Sequence, residues 1–269
     1  MPEITDTSPK TNKATTANPT VALYVTCLVN AVRPQIGFAC VKLIEDLGFK
    51  VVVPPAQTCC GQPGYNGGQR DQAREVARSQ IEILQQFDYV VIPSGSCAGM
   101  MTIHYQELLK EDPVWQARAE SLAAKTHELS QFLEQHNWQP AKPLSVVNQP
   151  ENRAGYWAHH TSCSCRRETR SHKYADRLLE QSGYRLLEFS DQEVCCGFGG
   201  SFSAKFDALS SKMGQDKLRN IADVGAEGVV SADVGCLLQL ESLAGNSAIK
   251  FLHLAELLVA QPGFDKKTR

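Results

Sequence analysis

Two adjacent cysteines followed by a glycine occur twice in this chain, as Cys59-Cys60-Gly61 and as Cys195-Cys196-Gly197. Each pair has one cysteine upstream, with 31 residues between in both cases, and one downstream, with 36 residues between in the first case and 39 in the second. The first quartet is Cys27, Cys59, Cys60 and Cys97, and the second quartet is Cys163, Cys195, Cys196 and Cys236. A fold for this sequence therefore has to bring widely spaced thiols together at two equivalent places.

The composition is that of a soluble globular protein. The 269 residues are 42% hydrophobic and 21% charged, and the net charge of −2 gives no reason to expect nucleic acid or an anionic membrane as a partner. No stretch approaches the roughly 18 uninterrupted apolar residues of a membrane span, and residues 1–20 lack the apolar segment of a secretory signal. Ten cysteines without an export signal favour the cytoplasm, where thiols bind metal or carry out redox chemistry.

Short apolar runs alternate with amphipathic stretches along both halves of the chain. The runs that predict strands are 21–26, 49–53 and 89–92, then 156–160, 184–189 and 228–231. The stretches that predict helices are 34–47 and 70–87, then 167–181 and 204–221. We expect an α/β fold of two pseudo-symmetric βαβαβ repeats with parallel sheets. The predicted division is a disordered tail 1–20, a first repeat 21–140, a linker 141–153 and a second repeat 154–269.

A cysteine follows every predicted strand, either singly or as the adjacent pair. In a parallel sheet, the loops at the carboxyl ends of the strands gather at one edge, and ligands bind there. Thiols that are distant in sequence therefore converge, and each quartet forms one site. We expect two metal sites, at the strand ends and near the interface between the repeats.

Thiolates are soft ligands that select iron–sulfur clusters, zinc or copper(I). Adjacent cysteines point apart and suit two irons of a larger cluster better than one small ion, whereas structural zinc sites commonly use cysteines two residues apart. The glycines after each pair, such as Gly61 and Gly197, permit left-handed turns whose backbone N–H groups can donate to cluster sulfides. The motif therefore favours iron–sulfur, with a zinc site and a metal-free redox dithiol as the alternatives.

The repeated motif resembles that of the cysteine-rich CCG-domain family, which includes the heterodisulfide reductase B subunit and iron–sulfur subunits of glycolate and glycerol-3-phosphate oxidation systems. Segments 25–29, 58–63, 93–97 and 194–200 most resemble the LutA/YkgE proteins of L-lactate utilisation within that family. The resemblance covers 21–263. It implies an iron–sulfur subunit of a cytoplasmic lactate-oxidising complex that passes electrons from lactate to an acceptor, beside a ferredoxin-type LutB-like subunit and a LutC-like subunit.

The chain departs from the fuller family motif at three positions. That motif ends in two cysteines separated by two residues, but here the earlier position holds Ser94 in one repeat and Asp233 in the other. Four cysteines per site are compatible with two cubane [4Fe–4S] clusters, with zinc in one site as the alternative. Asp233 is a candidate oxygen ligand, and Ser94 is a weaker one. The family's histidine after Cys163 is replaced by Ser164, and Cys165 is either a spare ligand or a tolerated substitution.

Further residues have a structural interpretation beside the functional one. Cys40 is expected to be a buried hydrophobe on a helix. His159 and His160 precede Cys163 and are candidates for a hydrogen bond to the cluster, for a proton shuttle or for a purely structural role. His127 and His253 are expected to cap helices or to bond across the repeats. Arg33, Arg166 and Arg167 are candidates for holding a carboxylate substrate or are solvated charges.

The leading interpretation is an oxidoreductase subunit that transfers electrons and does not work alone, since no flavin motif, nicotinamide fingerprint or clear substrate base is present. Two alternatives belong to other classes. The first is a thiol–disulfide reductase subunit resembling heterodisulfide reductase. The second is a non-catalytic scaffold stabilised by zinc, which would unfold when the metal is chelated.

Overall fold

The computed structural model describes residues 19–141, 143–144 and 155–260, which form two four-stranded sheets with every strand pair parallel. The predicted α/β class with repeated parallel units is confirmed. The predicted tail lies outside the described residues apart from Pro19 and Thr20, and Thr20 already opens the first strand. Most of the predicted linker 141–153 also lies outside the described residues.

The first repeat contains strands β1 to β4 and helices α1 to α8. Its strands are β1 Thr20–Leu23, β2 Lys50–Val52, β3 Tyr89–Ile92 and β4 Thr126–Glu128. Its helices are α1 Cys27–Val32, α2 Pro34–Asp46, α3 Gln62–Asn66, α4 Arg70–Leu84, α5 Gly95–Gly99, α6 Tyr105–Leu108, α7 Pro113–Ala123 and α8 Leu129–Gln135, with a π-helical turn Met100–His104 between α5 and α6.

The second repeat contains the remaining elements in nearly the same order. Its strands are β5 Tyr156–His159, β6 Arg185–Leu186, β7 Gly228–Ser231 and β8 Lys250–His253. Its helices are α9 Cys163–Arg167, α10 His172–Gln181, α11 Ser201–Lys205, α12 Asp207–Asp223, α13 Val234–Ala244 and α14 Leu254–Val259.

The strand order is β2-β1-β3-β4 in one sheet and β6-β5-β7-β8 in the other. Three strands per repeat were predicted, and each sheet has a fourth. Strand β4 was missed because Thr126–Glu128 is a short polar run, which joins the sheet through backbone pairing with β3. The strand predicted at 184–189 is confined to Arg185–Leu186. Strands β2 and β3 lie on opposite sides of β1, and β6 and β7 lie on opposite sides of β5. The strand order therefore reverses between β1 and β3 and between β5 and β7, which gives each sheet a switch point where ligand sites form.

Side chains of each strand alternate between two hydrophobic cores, as the period of two in a strand requires. In the first sheet Val21, Leu23 and Val91 face a core shared by both repeats, whereas Ala22 and Val90 face an outer core. Helices α2 and α8 of the first repeat and α10 and α14 of the second pack together in the shared core. The molecule is therefore layered as helices, sheet, helices, sheet, helices, and burial of the middle layer fixes how the repeats face each other.

The helices after β4 and β8 begin with reciprocal capping interactions. The Glu128 side chain accepts a hydrogen bond from Ser130 N at 2.9 Å, and His253 Nδ1 accepts one from Ala255 N at 3.1 Å. Nε2 of His253 also lies 3.2 Å from Pro93 O of the other repeat. The prediction of a capping and bridging role therefore fits His253, but it was wrong by one position for His127, which lies in β4.

The two repeats approach each other closely where α5 faces α9, because glycines lie on the α5 side. A Cβ atom at Gly95 would stand 2.2 Å from Cys165 Sγ and 3.0 Å from Cys165 N. A Cβ atom at Gly99 would stand 2.1 Å from Glu168 Oε2, and Glu168 Oε1 in turn lies 3.0 Å from His104 Nε2. Only glycine permits this spacing between the repeats.

We expect Gly95→Ala to destabilise the protein by about 1–3 kcal/mol, because the added methyl group forces the backbone of α9 away. The measurement is the free energy of unfolding in urea, followed by circular dichroism. Gly37→Ala is the matched control, since a Cβ atom there meets only Val25 and Val29 at 3.8 Å or more inside α2. Equal stability of Gly95→Ala and the wild type would contradict the close approach.

Candidate metal centre

The first quartet is assembled from three turns at the carboxyl edge of the first sheet. Cys27 opens α1 directly after the N-cap Thr26, and Cys97 lies in α5, whose N-cap Ser94 accepts a hydrogen bond from Cys97 N at 3.2 Å. Cys59 and Cys60 lie in the loop after β2. Cys97 was predicted in a loop, but the helix begins immediately after β3 because Ser94 caps it.

The thiols of the first quartet form a series of neighbours that runs from Cys27 through Cys59 and Cys60 to Cys97. Cys60 Sγ lies 3.4 Å from Cys97 Sγ, and Cys59 is hydrogen-bonded to both Cys27 and Cys60. Gly61 N also donates to Cys59 Sγ at 3.5 Å. The structure therefore brings all four predicted thiols of this quartet together.

The second quartet repeats this arrangement. Cys195 is hydrogen-bonded to Cys163 and Cys196, Cys196 is hydrogen-bonded to Cys236, and Gly197 N donates to Cys195 Sγ at 3.3 Å. Cys163 opens α9, and Cys236 lies in α13 rather than in a loop. All ten cysteines of the chain belong to the described residues, and all are free thiols.

The glycine of each pair is required by the backbone. Gly61 has a φ of 84° and Gly197 one of 89°, a left-handed conformation that side chains other than glycine rarely adopt. A Cβ atom at Gly197 would also stand 2.4 Å from Ser210 O. In this turn the N–H of each glycine donates to the first sulfur of the preceding cysteine pair.

Hydrogen bonding makes the thiols of each quartet unequal in acidity. Hydrogen bonds from Cys27 and Cys60 lower the pKa of the Cys59 thiol, and hydrogen bonds from Cys163 and Cys196 lower that of Cys195. Donation of its proton to Cys59 raises the pKa of Cys60. One sulfur in each quartet is therefore stabilised as the thiolate, the form that binds metal.

Both quartets line a single cavity of about 370 Å³. The predicted position near the repeat interface corresponds to this arrangement, in which the two sets of sulfurs face the same space. Gln62, Asn66 and Phe198 form other parts of the wall. The cavity therefore places two soft donor sets on opposite repeats around a common volume.

Asp233, which is 4% exposed, ties together the helix starts that carry three of the cysteines. Its Oδ1 accepts hydrogen bonds from Ser94 Oγ at 2.6 Å, Ser96 Oγ at 2.7 Å and Ser96 N at 3.2 Å. Its Oδ2 accepts from Ser162 Oγ. Ser94 caps α5, Ser162 caps α9, and Asp233 is itself the N-cap of α13. Since both oxygens are engaged, the structure favours a structural role for Asp233 and Ser94 over metal ligation.

Cys165 does not join the second quartet. It lies in α9 at 3% exposure, its backbone N donates to Ser162 Oγ at 3.1 Å, and its thiol donates to Asp233 Oδ2 at 3.5 Å. Because it also packs against Gly95 of the other repeat, its position favours an interface contact over a spare ligand.

The residues behind the two quartets differ, and the sequence reasoning missed most of them. Tyr24 donates to Thr58 O and Tyr105 Oη to Cys60 O at 2.9 Å behind the first quartet. Gln80 holds the same loop through Thr58, at 3.0 Å from Nε2 to Oγ1.

The sequence spacing could have revealed Tyr24, because Tyr24 precedes Cys27 by three residues, as His160 precedes Cys163.

A histidine and a lysine lie behind the second quartet. Burial lowers the pKa of His160 to about 3, so its ring is neutral at physiological pH. A ring nitrogen of His160 lies within 4.8 Å of both Cys196 Sγ and Cys236 Sγ, and these two sulfurs lie equally close to each other. Among the described residues, this is the group of three donor atoms that could hold a metal ion. Lys217, which is 2% exposed, donates to Asp191 O at 2.7 Å and to Gln192 O at 3.2 Å, which holds the loop before Cys195.

Several other candidate residues have structural partners. Cys40 is fully buried in the shared core, as expected. His159 Nδ1 lies 2.6 Å from Asp176 Oδ1.

Two of the candidate arginines form ion pairs. Arg33 pairs with Glu241 and donates to Phe251 O at 2.9 Å, so it connects the two repeats. Arg166 pairs with Glu193 at 2.8 Å. These contacts favour structural roles for the two arginines over the binding of a carboxylate substrate.

Known proteins share both the sequence pattern and the fold. The model of the CCG cysteine-rich domain matches residues 21–102 and 157–241, so the chain belongs to this cysteine-rich domain family. Lactate utilization protein A of Halalkalibacterium halodurans is 42% identical over 243 residues, which covers 88% of this chain and 96% of that protein. Lactate utilization protein A of Geobacillus thermodenitrificans is 39% identical over 241 residues, which covers 88% and 98%.

A solved structure supports the architecture. The crystal structure of a hypothetical protein from Helicobacter pylori superposes with a TM-score of 0.64 on 93% of this chain, at 12% sequence identity. This chain spans 52% of that longer one, and at such identity the likeness extends to the fold alone. Among the described residues, none of the helices has the length and apolar character needed to cross a membrane.

We expect Asp233→Asn to lower the free energy of unfolding by about 1–3 kcal/mol, because hydroxyl and thiol donors lose a charged acceptor in a buried network. The metal content of the folded variant should equal that of the wild type, since the carboxylate acts on the helix starts and not on the metal. Urea unfolding and metal analysis test the two parts. Asp223→Asn, at the exposed end of α12, is the control. Loss of metal from a stably folded Asp233→Asn protein would instead identify Asp233 as a ligand.

Proposed function

We propose that this chain is the iron–sulfur subunit of a cytoplasmic L-lactate oxidation complex and that it transfers electrons between the other components. The observation that carries the proposal is the pair of thiol quartets facing one cavity. Relatives that are 39–42% identical over most of their length and are called Lactate utilization protein A support lactate as the 2-hydroxy acid. Four soft donors per site, with no disulfide among them, fit a cluster better than a small hard ion.

Under this proposal the first and second quartets each hold one [4Fe–4S] cluster. Such a cluster, when bound, supplies one-electron redox chemistry. Cys59 and Cys195 contribute sulfurs already stabilised as thiolates. The N–H groups of Gly61 and Gly197 donate to those sulfurs and offset their negative charge, one of the means by which a protein sets the potential of a bound cluster.

The proposal requires partner subunits. The sequence has no flavin or nicotinamide motif, so hydride removal from lactate is assigned to another component. A ferredoxin-type LutB-like subunit and a LutC-like subunit are the proposed partners. The cavity supports this division of labour, because all eight quartet cysteines line one space in which electrons could pass between the sites.

We expect Cys60→Ala to abolish lactate-dependent reduction of the reconstituted three-subunit complex and to remove roughly half of the iron from this chain, because one of its two quartets loses a ligand. Cys40→Ala is the matched control, since Cys40 is equally buried but lies in the shared core. Anaerobic lactate titration followed by electron paramagnetic resonance gives the readout.

Two outcomes would contradict the proposed function. The first is a reconstituted complex in which lactate leaves this chain's metal centres fully oxidised while dithionite reduces them. The second is rapid turnover of a small disulfide by the isolated chain, which would favour the thiol–disulfide reductase instead.

A further inference from the structure

The imidazole of His160 is buried without a hydrogen-bond partner. His160 is 1% exposed, and neither of its ring nitrogens, Nδ1 and Nε2, has a hydrogen-bond partner among the described residues. The neighbouring His159 differs, since its Nδ1 lies 2.6 Å from Asp176 Oδ1. Buried polar groups are nearly always satisfied, so a histidine with two orphaned nitrogens calls for a ligand.

The orphaned ring points at the second quartet. A ring nitrogen of His160 lies within 4.8 Å of both Cys196 Sγ and Cys236 Sγ, which in turn lie within 4.8 Å of each other. Neutral imidazole and thiolate together suit iron–sulfur clusters and zinc. The environment therefore offers a nitrogen donor on the same side as two of the proposed sulfur ligands.

The first repeat has no such donor at the equivalent place. Tyr24 occupies the position of His160, since each donates its backbone N–H across the sheet, to Val91 O and Val230 O respectively, at 2.9 Å. The Tyr24 hydroxyl, however, donates to Thr58 O. Its polar atom is therefore engaged by the loop, and the first quartet faces no unpartnered nitrogen from this strand.

We infer that His160 binds, through a ring nitrogen, the metal group held by the second quartet, so that the second site has thiolate and imidazole donors while the first has thiolates alone. The identity of that group as an iron–sulfur cluster rests on the proposed function. The nitrogen donor itself rests on the unpartnered ring and on its distance to the two sulfurs, and it applies equally to zinc.

The two sites then differ in reduction potential. Each iron of a cubane cluster takes one protein ligand, so His160 would hold an iron in place of one thiolate of the second quartet. That replacement raises the potential of a cluster, because a neutral donor lowers the negative charge around it. The buried ammonium of Lys217 acts in the same direction, since it lies behind the second quartet where Gln80 lies behind the first. A single electron moving within the chain would oxidise the first site and reduce the second, with no proton or further reactant required.

The experiment uses the full chain, purified anaerobically with its metal and labelled with ¹⁵N-histidine. The reduced protein is examined by pulsed electron paramagnetic resonance for a nitrogen nucleus strongly coupled to a cluster. We expect such a coupling in the wild type and in His159→Gln, and its loss in His160→Gln. The potential of the second site in His160→Gln should also shift. Circular dichroism and thermal unfolding establish that both variants are folded.

The wild-type spectrum decides the question even where a variant fails to fold. Iron clusters with no strongly coupled histidine nitrogen would overturn the inference and leave the proposed function intact. Zinc with a nitrogen neighbour in X-ray absorption, lost in His160→Gln, would support His160 as a ligand and overturn the iron–sulfur function. Zinc or iron with only sulfur neighbours at both sites would overturn the inference. Coupling that persists in folded His160→Gln would assign the nitrogen to another of the seven histidines and overturn it as well.

Discussion

The buried carboxylate of Asp233 is the interaction on which the geometry of both thiol sites depends. It is the N-cap of α13 but accepts its hydrogen bonds from Ser94 and Ser162, the N-caps of α5 and α9. Those three helices carry Cys236, Cys97 and Cys163. A single charge, satisfied by donors from both repeats, therefore sets where three of the eight quartet sulfurs lie and holds the two quartets around one cavity. A buried carboxylate is costly unless it is fully hydrogen-bonded, so this network has little freedom to rearrange.

The repeats share their fold but differ in the chemistry behind their thiols. The first repeat satisfies its loop after β2 with Tyr24, Tyr105 and Gln80, all uncharged and hydrogen-bonded. In the second repeat, Lys217 holds the corresponding loop. Neither ring nitrogen of His160 has a hydrogen-bond partner, and one of them lies within 4.8 Å of Cys196 Sγ and Cys236 Sγ. The two repeats therefore hold their thiols in equivalent positions, and the different residues behind the thiols give each quartet a different electrostatic environment. Under the proposed function, such a pair would move electrons in one direction.

Much of this arrangement could be predicted from the sequence, because the cysteines of both quartets follow strands and parallel strands end at one edge. The repeated βαβαβ order and the grouping of the cysteines followed from that rule. The fourth strands did not, since Thr126–Glu128 has no apolar run and pairs only through its backbone. The single shared cavity depends on how the repeats pack, which the sequence pattern does not encode. The bond from Ser94 to Asp233 spans 139 residues, and Lys217 looks like any helical lysine until its burial is known.

The most direct test of the central claim, that each quartet holds an iron–sulfur cluster, is the iron and acid-labile sulfide content of anaerobically purified protein, with an electron paramagnetic resonance spectrum after dithionite reduction. We expect about eight iron and about eight sulfide per chain, with a reduced-cluster signal. About four of each would mean that one quartet is not a cluster site. Zinc without iron would contradict the account and leave a redox-silent scaffold.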